Sequence, residues 1–278
     1  MRASLVCGAF ALLVCSTTFA QEYTALVSVA DRNYHLDTVL AEGGEARAVI
    51  VSSDSRRAYQ EVAEAVRDAV AEMGGSDLRI IDASDVTPAG LLAETNAIVL
   101  GNLATSEFVA DLYHRWFCIT DLFYPGTGGH EVRSIHDPLG TGRNVILLGG
   151  SDDAGVREAG ERFIATLQPG DPLTVGWLQD VTLGEEHDVS EQTDWVNPRL
   201  RVFREREGDA YKTHMGNLMG YTTAARAGLL YYYSGEARYA EFFRERAIES
   251  DDFSTGDHYY SHMNGLVWDL IEESPLFS

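Results

Sequence analysis

The chain has 278 residues and a net charge of −22, with Lys212 its one lysine and arginine supplying the other fixed cations. Such an acidic balance argues against nucleic acid and anionic membrane surfaces as partners. An anionic saccharide stays open, because a local arginine cluster can outweigh the global field.

Met1-Arg2 supplies a positive start, Ala3 to Cys15 is an almost unbroken apolar run, and small residues stand at Thr18 and Ala20. This is the pattern of a signal peptide cut after Ala20, too short to span a bilayer as a helix. A lipid-anchor alternative at Cys15 conflicts with bulky Val14 before it. The expected location is secreted or periplasmic, without membrane insertion. Cys7 and Cys15 leave with the leader, so Cys118 stands alone and no internal disulfide can form. Next to Trp116-Phe117, Cys118 reads as a buried structural thiol.

From Ala46 to Leu167 short apolar runs alternate with amphipathic helices. Arg47–Val51, Leu78–Ile81 and Ala97–Leu100 read as strands, and Arg57–Met73 and Ser106–Phe117 as helices. That order implies parallel strands with helices on their faces. His130–His136 alternates and Asn144–Leu148 is solidly apolar. The short turn-rich link between them predicts an antiparallel hairpin. Gly149-Gly150-Ser151-Asp152 then leads into a helix over Ala154–Leu167. Neither this segment nor Tyr124–His130 has the spacing of a phosphate or dinucleotide loop. The order of strand, hairpin, Val-Ile-Leu-Leu-Gly-Gly-Ser-Asp-Asp-Ala-Gly and helix resembles the small α/β domain that precedes the catalytic domain in alpha-glucuronidases, hexosaminidases and some polysaccharide lyase-like proteins. In those families it is usually an accessory, so the resemblance carries no catalytic residue across.

Gln168 to Phe203 is irregular, punctuated by Pro169, Pro172 and Pro198, and reads as a connector with one short strand near Leu173–Leu178. Beyond Asp209 the pattern is helical and aromatic: Thr213–Tyr233, Ala237–Ile248 and Met263–Glu273. Tyr-Tyr-Tyr-Ser-Gly-Glu-Ala-Arg-Tyr-Ala-Glu-Phe-Phe resembles the hairpins of (α/α) toroids in heparinase II/III-like and related polysaccharide lyases. A tetratricopeptide-type hairpin is similar too. The expected architecture is α/β plus α: a small parallel-core α/β sandwich with an antiparallel hairpin, then an incomplete (α/α) toroid-like helical domain. Its divisions are a signal peptide 1–20, a leader 21–45, the α/β domain 46–167, a linker 168–208 and the helical start 209–278. The aromatic stripes look uncovered by so few helices, which suggests the front part of a longer enzyme.

Two clusters at helix starts hold the candidate chemistry, Tyr211–Asn217 and Asp257–Asn264. Removing the proton beside a uronate carboxylate needs a base, an acid for the leaving oxygen and groups that hold the carboxylate. Tyr211, His214, His258, Tyr260 and His262 supply the proton-transfer types, and Asn217, Tyr259 and Asn264 the substrate-binding types. The same residues could instead cap helices and pack. His258 and His262 are four apart, but Gly256 and its polar neighbours favour a loop there, so no metal is expected, nor any cofactor. A glycoside hydrolase would need paired carboxylates. Asp269, Glu272 and Glu273 are available, two of them fitting a solvated helix face, whereas Asp121, Glu131 and Asp137 read as solvated turns. The expected function is polysaccharide β-elimination on a polysaccharide or oligosaccharide partner. The alternatives are a glycoside hydrolase and a non-catalytic glycan-binding or helical-repeat scaffold. Exported protein should begin at Gln21, and N-terminal sequencing that reads Met1 would refute the cleavage site.

Overall fold

The computed structural model describes residues 32–34, 37–205, 214–248 and 258–277; side chains are described within these except at 201–222, 247–248 and 258–262. The expected signal peptide and Tyr211 lie outside the described residues. Strands β3 (Ala48–Ser52), β4 (Arg79–Asp82), β5 (Asn96–Gly101), β6 (His130–Ile135), β7 (Val145–Gly150) and β9 (Gln179–Thr182) form one sheet in the order β4-β3-β5-β7-β6-β9. The first four in that order run parallel; β6 is antiparallel to both β7 and β9. A second, antiparallel sheet joins β2 (Glu45–Ala46), β1 (Thr38–Glu42) and β8 (Leu173–Val175). Strand β1 thus draws part of the expected leader into the fold.

Strands β3, β5 and β7 are buried on both faces, which is why they read as solid apolar runs. On one face Ile50, Ile98 and Ile146 pack under Val62 and Val66 of α1 (Arg57–Gly74) and Phe163 of α4 (Asp153–Thr166). The two helices approach closely at Gly160, where a Cβ would come within 2.5 Å of Val62. On the other face Val49, Val99 and Leu147 pack against Leu91 and Leu92 of α2 (Pro88–Leu92) and Phe108 and Leu112 of α3 (Glu107–His114). Each such side chain, fully buried, contributes about 1.5–3 kcal/mol, enough for a core without disulfides. Cys118 belongs to this second face; burial raises its thiol pKa, so it stays protonated.

Helix α3 stops three residues before the sequence pattern suggests. Trp116 takes a left-handed φ of 63°, so that its N–H reaches the Tyr113 carbonyl at 3.0 Å and the Phe117 N–H reaches Leu112 at 3.0 Å. This is the double bond of a Schellman stop, with tryptophan where glycine is usual, at a cost of about 1 kcal/mol.

The expected connector holds more structure than its prolines suggest. Gln179–Thr182 extends the sheet as its edge strand, and α5 (Ser190–Glu205) is a helix with Pro198 inside it. Helices α6 (His214–Ser234), α7 (Ala237–Phe243) and α8 (His258–Ile271) follow. Five aromatics of this layer, Tyr231, Tyr232, Tyr239, Phe242 and Phe243, are fully buried and pack with Val196 and Leu200 of α5, while Trp195, Tyr233, Trp268 and Phe277 are partly buried against them. The expectation of uncovered stripes overlooked α5 and the sheet as cover. No described helix is long and apolar enough to cross a membrane.

His130 opens β6 inside the fold, with Asp180 3.7 Å from its ring. Burial lowers its pKa, opposed by Asp180 and Glu158. The unfolded chain therefore binds the proton more readily. The neutral ring's stabilisation is complete above the unfolded pKa of about 6.5 and is lost as pH falls through the folded value. Urea unfolding between pH 7 and pH 5 should show a smaller acid loss for His130→Gln than for the parent; equal losses would exclude this contribution.

Candidate functional site

In a doubly wound sheet the usual ligand crevice lies at the carboxyl ends of the strands, where the order reverses, here between β3 and β5. Tyr59 fills it. The ring is fully buried over Gly101, where a Cβ would come within 2.9 Å of it, and its hydroxyl meets Thr105 Oγ1 at 3.1 Å. The start of α4 is closed as well. Asp152 accepts from Gly155 N at 2.8 Å and from Gly128 N at 3.0 Å, and the Gly129 carbonyl leaves no room for a Cβ on Gly155. A charged depression of about 750 Å³, lined by Arg47, Arg79, Arg143 and Glu94, lies at the opposite, amino ends of the strands.

The polar chemistry of the sheet is concentrated on β6. Glu131 and Arg133, two apart, share the face turned to the helical layer and are both buried. Glu131 accepts from the hydroxyls of Thr120 and Tyr232. Arg133 donates to the Leu270 carbonyl at 2.6 Å and to the Tyr232 hydroxyl at 3.4 Å. Burial, followed by the charge of Glu131, raises the Tyr232 pKa well above its ordinary value, so the phenol remains a donor. Burial opposes the charge of Arg133, but Tyr232, Glu273 and Glu131 outweigh it and hold its pKa up. Tyr124 and Tyr233 pack beside Tyr232, with ring centroids 5.7 Å apart from each other.

A second buried cluster takes Glu272 and Glu273, two of the three carboxylates considered for a solvated face, largely out of water. Glu273 accepts from the His136 N–H at 2.8 Å, and both carboxylates pair with Arg32. Glu131 and Asp137 are likewise not solvated turns, since both are fully buried. Asp137 accepts from Gly142 N at 2.7 Å and from the Asn33 side chain at 2.8 Å. These carboxylates hold the fold together. Asp269, whose pKa burial raises, is not among these pairings.

A cleft of about 680 Å³ opens between the loop at 119–124, the loop at 183–189 and the flank of α6. Tyr113, Tyr124, Tyr233, Asp121, His187 and Arg226 are among its lining residues. Sequence patterns alone did not single it out, because its walls come from three distant segments.

The sequence-predicted residues lie elsewhere. His214 and Asn217 stand in the first turn of α6, and His258, Tyr259, Tyr260 and His262 in the first turns of α8. His258 therefore opens a helix rather than sitting in a loop. Helices α6 and α8 run side by side in the same direction: Gly228 abuts Val267, and the Tyr231 hydroxyl meets Ser274 Oγ at 2.5 Å. Counting back from Gly228 and Val267 at about 1.5 Å per residue sets His258 level with Met219, about 3 Å along the axis from Asn217. The two helix starts thus lie at one end of the layer. Asn264, less than two turns further on, is buried, and neither atom of its amide has a hydrogen-bond partner. Among the described residues no group of three or more His, Cys, Asp or Glu is arranged to hold a metal ion.

No family model matches this chain, and no curated protein matches it. Removing Glu131 would leave the buried hydroxyls of Thr120 and Tyr232 without their acceptor. At about 1–3 kcal/mol for each stranded group, Glu131→Ala should cost about 2–5 kcal/mol in urea unfolding, and Tyr232→Phe about 1–3 kcal/mol. Losses below about 0.5 kcal/mol for both, as at an ordinary surface site, would show that the network does not join the layers.

Proposed function

We propose that this is an exported carbohydrate-active protein that cleaves a uronate-containing polysaccharide by β-elimination. Its α/β layer serves as a platform, and its helices follow the (α/α) toroid plan. The observation that carries this is the common direction of α6 and α8, which brings two clusters rich in Tyr, His and Asn to one end of the layer. The unpartnered, buried amide of Asn264 adds to it, since a buried amide without partners costs about 1–3 kcal/mol and a ligand would relieve that.

In such a site a base among Tyr211, His214, His258, Tyr260 and His262 takes the proton beside the uronate carboxylate. The electron pair forms the new C=C bond, the C–O bond to the leaving sugar breaks, and an acid from the same set protonates that oxygen. Asn217, Tyr259 and Asn264 hold the carboxylate as charge spreads onto it. Neither metal nor cofactor enters this scheme.

A hydrolase is less well supported. Two of its candidate carboxylates, Glu272 and Glu273, are engaged with Arg32. Incubation with uronate glycans should give an unsaturated product that absorbs in the ultraviolet, and His258→Ala and Tyr260→Phe should each lower turnover by about 10²–10⁴-fold with circular dichroism unchanged. New reducing ends without that absorbance would make the protein a hydrolase. Neither product would leave a glycan-binding scaffold. Full activity in both folded variants would remove these residues from the mechanism.

A further inference from the structure

We infer that the cleft between the 119–124 loop, the 183–189 loop and α6 is a second glycan subsite that takes uncharged sugars. The first support is a held aromatic. Phe123 is 78% exposed and Leu122 55%, in a turn that is firmly bonded. Asp121 Oδ1 accepts from Phe123 N at 2.7 Å and Tyr124 N at 2.8 Å, Asp121 N donates to the Tyr124 carbonyl at 2.8 Å, and His187 Nε2 donates to the Phe123 carbonyl. The chain does not fold over this ring although Tyr124, next to it, is half-buried against Tyr232 and Tyr233. An exposed apolar ring on a bonded turn, whose neighbours Asp121 and Tyr124 line the cleft, is placed to be covered by something else.

The second support is the character of the walls. Tyr113 and Tyr233 offer ring surface, while Asp121, Glu186, Asp188, Gln192 and Arg226 line the same space. Arg226 donates to Gln192 at 2.8 Å and lies 4.9 Å from the Trp195 ring centroid, so the guanidinium is held in place. Three carboxylates against one guanidinium repel a polyanion. Asp121, Glu186 and Asp188 already accept from Tyr113, Thr127 and Ser190, so a ligand that fits brings apolar faces for the rings, adds hydroxyl donors to carboxylate lone pairs still to spare, and carries no negative charge. A neutral pyranose does all three, with C–H faces above and below and hydroxyls around its edge.

The sugar class rests on the carbohydrate function proposed above, whereas the position of the subsite does not. Arg226 lies nine residues, about 13 Å along α6, from Asn217. The substrate would then be a mixed polysaccharide, with uronates at the helix starts and neutral sugars in the cleft.

Titration calorimetry of the exported chain with neutral β-linked gluco-, manno- and xylo-oligosaccharides and with oligouronates tests this. At least one neutral series should bind, Phe123→Ala should weaken it about ten-fold, and Phe123→Trp should retain it. Absence of neutral binding, or equal affinity in Phe123→Ala, overturns the subsite even if uronate elimination is found. So does a basic peptide that binds through Phe123 where no sugar does. Neutral binding through Phe123 without any elimination leaves the subsite standing and removes the lyase activity.

Discussion

A carboxylate without solvent exposure must be fully bonded or it destabilises the fold by several kcal/mol, and Glu131 is such a group. Its partners decide how the molecule is put together. Thr120 comes from the loop after α3 and Tyr232 from α6, so satisfying one carboxylate fixes a helix against the sheet. Arg133, on the same face of β6, reaches the carbonyl of Leu270 near the end of α8 and fixes a second helix. Arg32, Glu272 and Glu273 repeat the device at the end of that helix. The helical layer is therefore set on the sheet by directional polar bonds, with the buried aromatics filling the space between them.

That arrangement has a consequence for function. The carboxyl edge of the parallel strands, where ligands usually lie, is filled by Tyr59 and by the glycine-rich loop over α4. Open, polar and aromatic surface is found instead in the cleft beside the flank of α6. On the function proposed above, the α/β part is the platform, and the residues assigned to proton transfer stand on the helices it supports.

Much of the α/β layer was legible because its strands are buried on both faces and its helices on one. Ala48–Ser52, Asn96–Gly101 and Val145–Gly150 differ from the sequence expectation only at their ends. The antiparallel pairing of β6 with β7 followed from a link too short for a crossover. Where the pattern misled, the cause was local. Trp116 takes a backbone conformation that sequence assigns to glycine. Pro198 sits inside a helix although proline usually ends one, and strand β1 is too short to stand out in a polar segment.

The site was legible only as residue types at helix starts. Sequence by itself determined the acidic charge, the order of the main strands and helices of the α/β layer and the two clusters of Tyr, His and Asn. It could not distinguish Glu131 from a solvated turn or Glu273 from a helix face, because a carboxylate looks the same whether water or a buried phenol bonds it. Nor could it align α6 with α8, since helix periodicity specifies a face but not a neighbour or a direction. Those matters were decided by tertiary contacts between residues about a hundred or more apart in the chain, Glu131 with Tyr232 and Arg133 with Leu270, whose geometry exists only once the layers have met.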